Sequence, residues 1–284
     1  MKTAFMQGKF LRGLTLFLLL AIAASSAQAQ PDNTYNFNPG RPGFAYGSTP
    51  LIQHTLSVEA FANVSGQTGK PWDETGYLVN GYVLRYSPLK NLELGIGTGL
   101  AKDWSQKGVS LNPLYLVARI NILRKGDNGK PGLALIGQLN FPAGCHSQYA
   151  VSRGVIPAAT LSVDQSFNNL WVVYNVGADW NAIESNTGLF YCVALGGMPG
   201  ERLNLYGEFV GDHDWTYADY ADPEGSTPAR KGQVENTFSL RFGGDYFLTE
   251  CFKIDLSVGT RLHGPHAMEV ELGLAYGIPL KKRR

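Results

Sequence analysis

The sequence is poor in the features that mark many other protein classes. It has three cysteines, Cys145, Cys192 and Cys251, and this odd number without a CxxC spacing gives neither a disulfide framework nor a zinc signature. Beyond residue 30 it lacks an apolar window long enough for a membrane helix. Charged residues make up only 17% of the chain, with 24 basic against 23 acidic residues. These shortages argue against a helical membrane protein and against a nucleic-acid partner.

The N-terminus has the three-part pattern of an export signal. Lys2, Lys9 and Arg12 precede a short apolar run over residues 14–24, and the small-residue site Ala-Gln-Ala follows at 27–29. This pattern predicts a cleaved signal peptide over residues 1–29 and passage through the inner membrane. Cleavage would leave 21 basic and 23 acidic residues, a net charge of −2. No cysteine follows the cleavage site, so we do not expect a lipid anchor.

The mature sequence does have a regular alternation of apolar and polar residues. From about residue 51 to residue 278, short runs of alternating apolar and polar or glycine residues recur between turn signals. The clearest is residues 268–278, Met-Glu-Val-Glu-Leu-Gly-Leu-Ala-Tyr-Gly-Ile. Because successive side chains of a strand point to opposite faces, such a segment has one apolar and one polar face. Behind an export signal, this pattern predicts an all-β, transmembrane, antiparallel up-and-down β-barrel.

Twelve such segments can be counted, an even number typical of single-chain bacterial barrels. Residues 30–284 are therefore predicted to be one outer-membrane β-barrel domain, in which residues 30–47, rich in Pro, Asn and Gly, form an irregular lead. The predicted strands are 51–64, 76–87, 91–102, 111–123, 132–142, 157–166, 170–181, 188–197, 202–212, 234–247, 252–263 and 267–279.

The connections predict the orientation of the barrel. With the N-terminus in the periplasm, the inner turns are mostly short and the outer loops include the two longest, as is usual in these proteins. Aromatic residues at the strand ends predict two girdles at the membrane interfaces. The outer girdle would hold Trp72, Trp104, Trp180 and Trp215, and the inner girdle Tyr86, Phe247, Phe252 and Tyr276.

Charged side chains within the strands should face the lumen, since an arginine on the lipid face at mid-bilayer costs about 2–4 kcal/mol. We expect a group of them to line a lumen constriction. The candidates are Glu59, Glu93, Arg119, Arg241, Asp255, Arg261, Glu269 and Glu271.

Tight hairpins would set the register of these charges. Arg241 would lie opposite Gly259, which would lie opposite Glu271, and Arg261 would lie opposite Glu269. Opposite charges across strands stabilise one another. Two interpretations stay open: a selectivity constriction for a small polar solute, or a structural plug that replaces a hydrophobic core.

Several segments, in this order, resemble the outer-membrane barrels called the MetA-pathway of phenol degradation family, often labelled simply transporter. The resemblance implies an outer-membrane barrel with a transport role and supplies no substrate. The segments are Gly-Arg-Pro-Gly-Phe at 40–44, Leu-Ser-Val-Glu at 56–59, Val-Leu-Arg-Tyr-Ser-Pro-Leu-Lys-Asn-Leu-Glu-Leu at 83–94, Leu-Asn-Pro-Leu at 111–114, residues 132–142, Val-Gly-Ala-Asp-Trp at 176–180, Tyr-Gly-Glu-Phe at 206–209 and Lys-Ile-Asp-Leu-Ser-Val-Gly at 253–259.

Other functions have weaker support. A lipid hydrolase would need a nucleophile beside an oriented base, and His146-Ser147 is a poor dyad because neighbours on a strand face opposite ways. A rim metal site could be built only from side chains whose spacing matches no known ligand motif. These are Asp212, His213, Asp214, His263 and His266.

The sequence therefore predicts a protein of a Gram-negative outer membrane that is not an enzyme and needs no cofactor. We expect a passive, porin-like channel or transporter for a small solute, with hydrophobic and aromatic molecules among the candidates. A plugged structural barrel, or an adhesion barrel whose external loops bind a partner, is the alternative. The expected partners are outer-membrane lipid, the solute and the outer-membrane insertion machinery, with no nucleic acid, and we expect a monomer.

Overall fold

The structure is a computed structural model that describes residues 44–105, 107–126, 129–142, 154–181, 186–216, 233–263 and 266–280. The predicted signal peptide, residues 30–43 of the predicted lead, Cys145 and the pair His146-Ser147 lie outside the described residues. So do residues 217–232, which make up most of the longest predicted loop.

The described chain forms one closed antiparallel sheet. Each long strand pairs with its sequence neighbours, and β1 closes the sheet on β13 from Thr55↔Pro279 to Gln67↔Ala267. Twelve long strands and the two-residue β4, which pairs with β3, make up the sheet, and this confirms the predicted barrel of about twelve strands. The strands are β1 Thr55–Gln67, β2 Tyr77–Leu89, β3 Leu92–Asp103, β4 Ser110–Leu111, β5 Leu114–Leu123, β6 Gly132–Phe141, β7 Ile156–Phe167, β8 Leu170–Asn181, β9 Asn186–Gly197, β10 Leu203–Thr216, β11 Gln233–Thr249, β12 Phe252–His263 and β13 Ala267–Pro279.

The first strand begins later than predicted. The sequence pattern started it at residue 51, whereas β1 begins at Thr55. The reason is a reversal at His54, whose φ of 64° is left-handed and interrupts an extended chain. The single helix of the described residues, α1 Trp72–Thr75, is one turn long, so that part of the chain has no helix able to cross a bilayer.

Apolar side chains cover the outside of the sheet and polar ones fill the inside. In β13, Val270, Leu272 and Leu274 are exposed while Glu271 and Gly273 between them are buried. A soluble protein has the opposite arrangement, because water favours apolar groups inside. Hydrocarbon around the barrel explains both faces, since every strand hydrogen bond is satisfied within a closed sheet.

The two ends of the barrel differ, as the sequence predicted. At one end the turns between β2 and β3, β7 and β8, and β11 and β12 have two residues each. Asn168 in one of them has a φ of 54°, a conformation that Asn tolerates better than most residues. The other end carries longer connections, including the one that holds α1. Short turns are periplasmic in barrels of this kind, so we call the short-turn end the periplasmic end.

The aromatic girdles are partly as expected. Trp72, Trp104 and Trp180 are exposed at the long-loop end. Phe247, however, was predicted for the inner girdle and is instead 94% buried inside the barrel, with a relative exposure of 6%. Strand alternation explains the difference, because Phe247 shares the inward face of β11 with Arg241 and Asp245.

Candidate functional site: the lumen

All eight predicted lumen residues lie on inward-facing positions of their strands. They do not form one site, however, because the barrel distributes them over three places around its wall. Glu59, Glu93 and Arg119 lie together on one side, Arg241, Glu269 and Glu271 on another, and Asp255 in a third group. Arg261 faces inward beside Ser239 but is exposed and stands apart from these groups.

The first group is a buried ion cluster near the periplasmic end, which we call the inner ion cluster: Glu59, Arg85, Glu93 and Arg119. The Arg85 guanidinium donates to Glu59 Oε1 at 2.8 Å and to Glu93 Oε1 at 2.6 Å. Arg119 lies 3.7 Å from the other oxygen of Glu93. All four side chains are almost wholly buried. Charge neutrality and these hydrogen bonds offset the cost of taking four charged groups out of water.

Arg85, the centre of this cluster, is missing from the eight lumen residues that the sequence analysis predicted. The signal was available: Arg85 lies within an alternating strand, and the same lipid cost that turns the other arginines inward applies to it. Strand pairing then sets Arg85 opposite Ser57 and Gly95, directly between Glu59 and Glu93 on the adjacent strands. Glu59 and Glu93 therefore both reach one guanidinium.

The second group is the cluster of Arg241 with Glu269 and Glu271, where the predicted register was half right. Arg241 lies opposite Gly259 as predicted. Gly259 lies opposite Glu269 rather than Glu271, and the predicted pairing of Arg261 with Glu269 is wrong. The β12–β13 pairing ends at Thr260↔Met268, so the connection is longer than the assumed tight turn and the register moves by two residues.

That shift changes which carboxylate contacts the arginine. Arg241 Nη2 donates to Glu269 Oε1 at 2.7 Å, across the gap left by the missing side chain of Gly259, and Nη1 lies 3.3 Å from Glu271 Oε1. Arg241 is buried and Glu269 is 25% exposed, so the cluster reaches from the wall into accessible lumen.

The third group holds Asp255 near the periplasmic end. Asp255 lies directly opposite Asp245, and the buried Lys253 ammonium lies 3.9 Å from Asp245 Oδ2. Asn204 also donates to Asp245, at 2.8 Å. The sequence analysis placed Asp255 inside but did not predict the lysine beside Asp245.

A segment of the chain also lies inside the barrel. Residues 44–54, which we call the strap, turn inward from the periplasmic end of β1 and follow the inner wall. Side chains of five strands hold its main chain. Leu51 N donates to Glu93 of β3 at 2.8 Å, and Asn121 of β5 donates to Ser48 O at 3.0 Å. Tyr46 O accepts from two side chains, Ser162 of β7 and, at 2.9 Å, Asn175 of β8. Glu208 of β10 accepts from Phe44 N and Ala45 N, both at 3.0 Å.

The strap connects the wall clusters. Thr49 O accepts a hydrogen bond from Arg119 of the inner ion cluster at 3.2 Å. At the other end, the Phe44 ring lies 4.4 Å from the Arg241 guanidinium carbon, a cation–π contact. The lumen is therefore narrowed by wall charges and by a peptide segment that runs across them. Sequence patterns could not show this, because residues 44–54 have no strand or helix periodicity.

Carboxylates line the lumen near the long-loop end. One row of paired positions crosses β8 to β11 and holds Asp179, Gly188, Asp214 and Glu235 in that order. Asp212 faces inward one step below this row. We call these four acidic residues the outer carboxylates.

The considered rim metal site does not assemble. His213 lies on the opposite face of β10 from Asp212 and Asp214, with its ring near Tyr191 and Phe238 on the exterior. Among the described residues, no group of His, Cys, Asp and Glu side chains has a metal-binding arrangement.

Comparisons with known proteins agree with the fold and identify no family. No family model and no curated protein matches the chain. An outer-membrane channel from Pseudomonas putida F1 is similar over 88% of this chain and 100% of its own, with 14% identity and a TM-score of 0.55. The KdgM porin covers 77% of this chain and 98% of its own at 10% identity and a TM-score of 0.49. The NanC porin covers 76% and 98% at 9% identity and a TM-score of 0.46. The chain thus has the fold of an outer-membrane β-barrel, and its resemblance to the phenol-degradation family stays a prediction.

Proposed function

We propose that this protein is a passive outer-membrane channel for a small polar solute. The observation that carries the proposal is the inverted distribution of polarity. The barrel exterior is apolar, whereas its interior is lined with charged and amide side chains from the outer carboxylates down to the inner ion cluster. Such an interior can replace part of a solute's hydration shell during passage.

We place the constriction of the route at Arg241, Glu269 and Glu271, where the strap crosses the wall. Arg241 is held by two carboxylates and is capped by the Phe44 ring, while the less buried Glu269 faces open lumen. A structural plug is the competing interpretation, and the presence of current through single molecules decides between them. Hydrophobic or aromatic solutes stay a prediction that the polar lumen wall does not favour.

Neutralising the constriction should change conductance. Arg241→Gln and Glu271→Gln each remove one charge at this proposed constriction, so we expect single-channel conductance in planar bilayers to change by about twofold or more. Lys90→Gln, in an exposed periplasmic turn, is the matched control and should conduct as the wild type does. Absence of current in correctly folded wild type would contradict the channel and favour the plug. Unchanged conductance in both variants would remove these residues from the route.

The outer carboxylates should make the channel prefer cations. The three-residue variant Asp179→Asn, Asp214→Asn, Glu235→Gln should lower the cation-to-anion permeability ratio at least about threefold at low ionic strength. Reversal potentials in a KCl gradient measure this ratio. In 1 M salt, where charges are screened within about 3 Å, the difference should shrink. A salt-independent difference, or a wild-type preference for anions, would contradict the electrostatic explanation.

The location and partners follow from the same proposal. The export signal predicted over residues 1–29 would deliver the chain to the periplasm, from which the insertion machinery would place it in outer-membrane lipid. Each barrel closes on itself and encloses its own lumen, so one chain is sufficient for the route and we propose a monomer.

A further inference from the structure

We propose that the strap is the gate of this channel. Its N-terminal part, residues 44–47, which we call the tip, detaches from the wall to open the lumen, while its base, residues 48–54, stays anchored at the periplasmic end. This inference rests on the proposed channel function and adds the way in which passage is controlled.

The barrel does not depend on the strap for its closure. Strand β1 pairs with β13 over its whole length and with β2 over ten residue pairs, and the strap contributes no strand to the sheet. All strand hydrogen bonds would therefore survive detachment of the tip, and the fold could stay intact in both states.

The tip is held by contacts that water can replace. Glu208, Asn175 and Ser162 bind its main chain through side-chain hydrogen bonds. Such bonds contribute little net stability, because the same groups bond to water when they separate. Phe44, an apolar side chain of the tip, is 41% exposed and lies against the Arg241 guanidinium. Opening would therefore exchange these hydrogen bonds, and the cation–π contact of Phe44 with Arg241, for contacts with water.

The base, which begins at the wholly buried Ser48, is held differently. Leu51 is buried with Phe247 and Ala275 in the apolar cluster of the described residues, and its N–H also binds Glu93. The reversal at His54 is fixed on both sides, because His54 N donates to Ser87 O at 2.7 Å and Leu280 N donates to His54 O at 2.8 Å. An anchored turn that carries a tip held through polar contacts is the arrangement of a hinged flap.

Cys192 provides an internal reporter of the tip's position. It faces the lumen from β9, where it lies opposite Asn175 on one side and Val210 on the other, and only 1% of it is exposed. Asn175 binds Tyr46, and Glu208 binds Phe44 and Ala45, so the tip passes over this part of the wall. Detachment of the tip should open Cys192 to a reagent in the lumen.

The test uses the full-length mature chain with Cys145→Ser and Cys251→Ser, so that Cys192 is the one remaining thiol. Its rate of modification by a cationic methanethiosulfonate is measured in planar bilayers together with open probability. Glu208→Ala and Asn175→Ala each remove contacts to the tip, and both quantities should rise by about tenfold in each variant.

Two controls isolate the strap. Gln138→Ala removes a lumen amide that hydrogen-bonds to Asn140 at 2.7 Å, and it should leave both quantities unchanged. In a Cys192→Ser background, Thr237→Cys places a thiol beside Asp212 near the outer mouth, where its modification should be fast in every variant and report entry of the reagent.

The outcomes separate the gate from the channel. Parallel increases in both quantities support the gate. Equal open probability in all variants with an unreactive Cys192 would overturn the gate and leave the channel intact. Absence of current in every variant, with faster modification of Cys192, would overturn the channel and with it the gate, leaving a strap that moves without controlling passage.

Discussion

Replacing Arg85 with methionine is expected to lower the free energy of unfolding by about 3–5 kcal/mol, the cost of removing one partner from a buried ion pair. The substitution leaves Glu59 and Glu93 buried with Arg119 as the remaining cation of the inner ion cluster. Glu59 and Glu93 would then have one guanidinium, that of Arg119, in place of the two guanidinium groups of the wild type. Equilibrium unfolding by urea in phospholipid vesicles measures the change.

Two further variants separate the buried charge from the loss of a long side chain. Arg261→Met removes an exposed lumen arginine and should change stability by less than about 0.5 kcal/mol. Arg85→Met combined with Glu59→Gln restores one cation to one carboxylate and should recover most of the loss. Equal destabilisation by Arg85→Met and Arg261→Met would show that the buried cluster contributes nothing specific to stability.

Local alternation was sufficient to predict the fold. Each strand carries its own apolar and polar faces. The free-energy cost of placing a charge in lipid is high enough to turn Arg119, Arg241 and Arg261 toward the lumen. The same reasoning placed Glu59, Glu93 and Arg241 inside correctly. These predictions needed no knowledge of how strands are aligned, because parity within one strand determines which face a side chain occupies.

Contacts between strands could not be predicted as well. The partner of Arg241 depends on the length of the β12–β13 connection, and a shift of two residues exchanges Glu271 for Glu269 without changing any side chain's face. The strap is a harder case, because its hydrogen bonds join residues far apart in sequence, such as Phe44 and Glu208. The sequence of residues 44–54 has no periodicity from which these hydrogen bonds could be predicted.

The strap also supplies hydrogen-bond partners to buried amide and carboxylate groups of the lumen wall. Glu208 and Asn175 bind backbone groups of the strap rather than other side chains of the barrel. In the proposed open state these groups would bind water instead. A wall suited to a polar peptide segment is also suited to a hydrated solute, so the closed and open states use the same surface.

A charge placed on the barrel exterior tests what surrounds it. Leu272 lies at the middle of β13, 59% exposed on the apolar face. If hydrocarbon surrounds this position, Leu272→Arg should lower the free energy of unfolding in phospholipid vesicles by about 2–4 kcal/mol. Leu280→Arg, just beyond the periplasmic end of β13, is the matched control and should cost about 0–1 kcal/mol.

The urea unfolding midpoint of Leu272→Arg in vesicles is the most direct measurement of the central claim, that lipid surrounds the barrel and polar groups fill it. A large loss at Leu272 with little change at Leu280 is the expected result. Equal stability of the two variants and the wild type would mean that water bathes the apolar face, and would contradict a membrane-spanning barrel.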